Sequence, residues 1–113
     1  MTTDTNRDYL LAQCRSIARD IAHGTWDGFE PTEDNPEPNG VDYLSDAFDI
    51  EYIVNSKREY LGARVLVAFG GPDIWINTRT KTVEGAWWGT YASATYQRDN
   101  LGLDEALEML WEG

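Results

Sequence analysis

The 113-residue chain is 42% hydrophobic and 26% charged, with 20 carboxylates against nine Lys/Arg and a formal net charge of −11. That length suits one domain spanning residues 1–113, and five Trp, six Tyr and three Phe supply a core, so wholesale disorder is excluded. A pI near 4.2 argues against direct binding to nucleic acid phosphates or anionic lipid, both of which call for Lys/Arg.

Residues 4–22 read as an amphipathic helix. Leu10, Cys14, Ile17 and Ile21 recur at spacings of four, three and four, one stripe of a 3.6-residue period. Thr5 and Asp8 make a weak capping box, Asp4 and Asp8 suit the positive end of the helix dipole, and Arg15, Arg19 and His23 suit the negative end. Gly24 supplies the stop. In the loop over 25–40, Pro31, Pro36 and Pro38 forbid a regular helix, while Trp26 and Phe29 are expected to pin the segment to the core. A short helix is expected over 42–48, with Leu44, Ala47 and Phe48 inward.

The period then switches to alternation, giving strands over 49–55, 60–69, 74–78 and 82–88. Their short connections permit antiparallel hairpins but no parallel crossover, so a four-stranded meander is expected. Residues 89–97 fit either a fifth strand or an irregular turn. The second strand is apolar on both faces, through Leu61, Ala63, Val65, Val67 and Phe69 on one and Leu66 and Ala68 on the other, which predicts full or partial cover on both sides. A closing helix over 103–111 turns Leu103, Ala106, Leu107 and Leu110 inward. The fold class is α+β with an antiparallel sheet.

Charge placement is more informative than total charge. Residues 20–51 hold ten carboxylates and no Lys or Arg; residues 99–113 hold five more, again without a base. The remaining 66 residues carry a net +4. Folding alone does not explain this, because Asp104, Glu108 and Glu112 at i, i+4, i+8 cost ~0.2–0.5 kcal/mol per pair. Glu112 also opposes the helix dipole. Solubility is the plain explanation, since charge runs usually form solvated faces. The sharper one is a surface for a basic partner. Ten carboxylates along an extended 32-residue stretch would lie ~10 Å apart, against ~1.7 Å in duplex DNA. DNA-like density therefore requires the loop to fold back and join the C-terminal stripe.

Catalytic, cofactor and metal sites find no support. His23 and Cys14 lie ~13 Å apart along a helix, and one of each cannot form a metal-ligand pair. Gly70-Gly71-Pro72 lacks the Lys-Ser/Thr of a phosphate loop. The run from Asn35 to Asp46 departs from a calcium loop in its first ligand and its prolines. Adjacent Trp87 and Trp88 are both buried only if both sheet faces are covered; otherwise one becomes an interface anchor or stacks on sugar.

The run YLGARVLVAFGGPDIWINTR over 60–79, followed by VEGAWWG over 83–89, resembles a segment of short acidic proteins from bacterial plasmids and prophages. The resemblance implies a mobile-element context, the broad class of antirestriction and anti-CRISPR inhibitors, and no catalytic residues. The expectation is a cytoplasmic, non-enzymatic inhibitor of a basic host nuclease, such as a CRISPR effector or restriction enzyme. As a DNA mimic it would place Glu30, Glu33, Asp34, Glu37, Asp42, Asp46 and the Asp104/Glu108/Glu112 face in a Lys/Arg channel, with Trp88 adding short-range affinity. An immunity or antitoxin protein against a basic toxin shares these physics, and a small carbohydrate-binding module using exposed Trp is the third reading. No membrane or direct nucleic acid partner is expected, and a homodimer is compatible with all three.

Overall fold

The computed structural model describes residues 5–26, 29–34, 36–37 and 39–113. The helix start at Asp4, the Thr5 side chain, Asp27, Pro38 and the Asn35 end of the calcium-like run lie outside the described residues. The elements run α1 (Thr5–His23), α2 (Gly40–Leu44), β1 (Asp49–Val54), β2 (Tyr60–Ala68), β3 (Asp73–Asn77), β4 (Thr82–Trp87), β5 (Thr90–Thr95) and α3 (Leu103–Glu112). The five strands form one antiparallel sheet in chain order, the α+β meander expected, with the undecided segment supplying β5.

The helices share one face of this sheet. α1 lies over β4 and β5, while α3 packs on β2 and against α2. Between them sits a single core that includes Leu10, Cys14 and Ile21 of α1, Val65, Ile74, Ile76 and Val83 of the sheet, and Leu103 and Leu107 of α3. Burying each Leu, Ile or Val contributes about 1.5–3 kcal/mol. Gly85 lets α1 settle onto β4: a Cβ there would come within 2.7 Å of Leu10 Cδ1 and 2.9 Å of Cys14 Sγ. The Cys14 thiol, pushed up in pKa by burial, points its weak donor at the Ala92 carbonyl. α1 ends as expected, with Gly24 at φ +82° donating its N–H to the Asp20 carbonyl at 2.9 Å.

Four expectations need correction. β2 has a helix on one face only, with Leu66 buried on the other, and Leu61 and Phe69, expected on its apolar face, are exposed. A bulge after Leu66 pairs Ala68 with the core-facing Ile74, so Ala68 joins Val67 on the helix side and leaves Leu66 buried beside its neighbour Trp75. The short helix begins two residues early and stops at Leu44, because the Asn39 side chain accepts the Asp42 N–H at 2.9 Å and fixes its start. Phe48, past that helix, is therefore 65% exposed rather than inward. Leu110 is also half-exposed, since α3 presents Leu103, Ala106 and Leu107 to the core and its last turn sets Trp111, not Leu110, against Tyr52 of β1.

The acidic loop is anchored as its aromatics suggest. Trp26 packs its ring edge-on to Phe29 (5.2 Å) and Tyr43 (5.1 Å) and rests against the core. Burial, with the Asp20 charge adding to it, pushes the Tyr43 hydroxyl up to about 12. The neutral phenol is the form the fold holds, so its contribution is complete below the unfolded value near pH 10 and is lost as pH climbs toward 12. Urea unfolding followed by circular dichroism should therefore show stability falling between pH 10 and 12. Tyr43→Phe should flatten that fall, leaving the share of Tyr60 and Tyr96, whose hydroxyls burial raises in the same direction.

Candidate functional site

The two base-free stretches meet where α2 crosses α3. Contact is close because the residues at the crossing are small: a Cβ on Gly40 would stand 2.6 Å from the Gly102 carbonyl oxygen and 3.1 Å from Ala106 Cβ. Around it Asn39, Val41, Asp42, Leu101, Glu105 and Met109 line a shallow groove. Asp42 and Glu105, one from each stretch, border it together, and no Lys or Arg is among the described lining residues. Val41 and Met109 are exposed there, so the groove joins carboxylates to apolar side chains.

The expected acidic residues divide around this crossing. Asp42 lines the groove itself, but Asp104 and Glu108 turn toward β2, where the Tyr60 hydroxyl donates to Asp104 Oδ1 at 2.6 Å and feels the Glu108 charge. Glu112 is exposed at the end of α3. Asp46 follows α2 and borders a small pocket with Trp26, Tyr43, Ala47 and Val67. Glu30, Glu33, Asp34 and Glu37 are exposed on the preceding loop. Glu105 is the residue that sequence reasoning passed over. It lies on the stripe Gly102, Glu105, Ala106, Met109, and the small residues of that stripe, facing Gly40, were the available signal.

Two acids have structural explanations. Asp99 accepts the Leu103 and Asp104 N–H groups, each at 3.0 Å, and so caps α3 at its positive end. Glu51 pairs with Arg64 (3.0 Å), whose other nitrogen lies 4.0 Å from Glu84 and whose guanidinium sits 4.3 Å from the Trp75 ring centroid. The Arg64 stack covers the Trp75 face that a sugar would need.

Trp87 and Trp88 part company because β4 ends between them, one residue short of the strand expected over 82–88. Trp87 is half-buried against the core, 5.6 Å from the Tyr9 ring. Trp88 occupies the two-residue turn between β4 and β5 and is 86% exposed. Its φ is +51° and that of Gly89 is +79°, so both central residues are left-handed, which Asn-Gly satisfies at least cost. A bulky residue there is strained by ~1 kcal/mol or more. Phe69 shares a pocket rim with Trp88, and exposed Tyr91 stands across Ala86 from Asp73 on the neighbouring strand. Trp88 thus belongs to an exposed aromatic end of the sheet.

No family model, curated protein or solved structure matches this chain.

Gly40→Ala should destabilise the domain by about 1–3 kcal/mol in denaturant unfolding, because the new methyl meets backbone rather than a movable side chain. Trp88→Asn should do the reverse and raise the unfolding midpoint, by relieving the left-handed strain at the turn.

Proposed function

We propose that this chain is a binding protein that inhibits a basic, nucleic-acid-handling protein of the antirestriction or anti-CRISPR target type. Its acidic surface occupies the partner's Lys/Arg channel. The observation that carries this reading is the α2–α3 crossing, where Asp42 and Glu105, from distant segments of the chain, border one groove without a described base. Acidic residues of the anchored loop extend the same sign of charge, and Arg64 pairs with Glu51 and Glu84 on the opposite face. Long-range attraction from this surface speeds encounter, and a partly apolar groove holds the complex once water leaves. Trp88 supplies the rigid, exposed aromatic type most enriched at binding hot spots.

The test is plasmid cleavage by a purified restriction nuclease and by an RNA-guided CRISPR nuclease, with this protein titrated in at several salt concentrations. Inhibition of either should weaken steeply with added salt, and Asp42→Lys with Glu105→Lys should cost at least about tenfold in affinity. Trp88→Ala should weaken inhibition while leaving the salt slope unchanged. Affinity indifferent to salt excludes electrostatic occupation of a nucleic acid channel.

A further inference from the structure

The β5 edge is a second surface with a chemistry of its own. The turn at Trp88 and Gly89 closes the Trp87–Thr90 pair, so Thr90, Ala92 and Ala94 bond back to β4. The N–H and C=O groups of Tyr91, Ser93 and Thr95 consequently point away from the sheet, and none of them takes a backbone partner among the described residues. Natural sheets guard such edges with charge, proline, bulges or a covering segment. β1, at the other edge, carries Asp49 and Glu51 and a register break after Ile53. β5 itself carries no charge, proline or bulge: its sequence TYASAT is uncharged and its register is unbroken.

The margin of this edge is mixed in charge beside Tyr91 and Ser93, where Arg7 and Arg64 line a pocket with Asp73 and Glu84, and basic beside its second half. Between α1 and the second half of β5 runs a groove lined by Arg15, Ala18, Arg19, Ala22 and Arg98, and its described lining contains no carboxylate. Arg15 and Arg19 are one helical turn apart, about 6 Å of axial rise, close to the ~6.7 Å separating alternate residues of a strand.

We propose that β5 is an augmentation edge that accepts an extended acidic peptide segment of a partner protein as a sixth strand. Its backbone would pair with Tyr91, Ser93 and Thr95, and alternate carboxylates would lie along Arg15, Arg19 and Arg98. Charge selects this occupant. Pairing two copies through β5 would set two arginine-lined grooves on one joint sheet. The chain's own acidic loop is broken by Pro31 and Pro36, which cannot donate to a ladder. The site lies over β4 and β5, away from the acidic surface over β2, and stands or falls independently of it.

The probe is a capped heptapeptide, Thr-Glu-Val-Glu-Val-Glu-Thr, compared with its Lys-for-Glu twin on the nitrogen-15-labelled full chain. The acidic peptide should slow amide exchange at Tyr91, Ser93 and Thr95, and its twin should bind at least about tenfold more weakly. Arg15→Glu with Arg19→Glu, at two exposed positions, should keep the circular dichroism spectrum of the parent and reverse the preference. Three results would overturn the proposal: unchanged exchange at those amides, equal binding of the two peptides, or protection that grows with protein concentration alone. The last would make the edge a contact between copies.

Discussion

The close approach of Gly40 to Gly102 and Ala106 governs the electrical shape of the molecule. Two helices carrying carboxylates would separate if charge alone ruled. Repulsion between exposed carboxylates of the two helices is at most about 1 kcal/mol per pair in water, whereas burial of Leu103 and Leu107 contributes about 3–6 kcal/mol together. Apolar packing therefore wins, and small residues at the crossing let α3 lie against α2 despite the repulsion. The acids are held together by forces that have nothing to do with their charge.

The sheet extends this into a polarised body. Because all helices share one face, a meander in chain order separates the α1 arginines over β4 and β5 from the carboxylates over β2. The opposite face uses another solution. There Arg64 lies over Trp75 between Glu51 and Glu84, a partly exposed cluster whose ion pairs contribute little individually, ~0–1 kcal/mol each. Its effect is to cover an aromatic ring with charge and keep that face wet. Exposed aromatic surface is concentrated instead at the end of the sheet marked by Phe69, Trp88 and Tyr91.

Strain and exposure coincide at Trp88. A left-handed tryptophan at a hairpin tip contributes nothing to stability that Asn would not exceed, and it leaves most of its ring in water. Such a residue is consistent with a contact made outside the molecule. The uncharged β5 edge that begins two residues later has the same character, open where a self-contained domain would be guarded.

Periodicity and punctuation in the sequence determined most of the fold: α1 from its stripe of Leu10, Cys14, Ile17 and Ile21, the hairpins from their short connections, α3 from Leu103 and Leu107. Its charge runs located the acidic segments, and its paired tryptophans announced that one of them would be exposed if the sheet were one-sided. Local signals could not settle residues 89–97, because strand pairing across a Trp-Gly turn is decided by β4 and not by the segment itself. Nor could they rotate α3. Whether Asp104 or Glu105 meets α2 depends on which helix face carries the small residues opposite Gly40, a contact between positions far apart in the chain. Only tertiary packing decides that, since a helix's own period fixes its faces but not which neighbour each face will find.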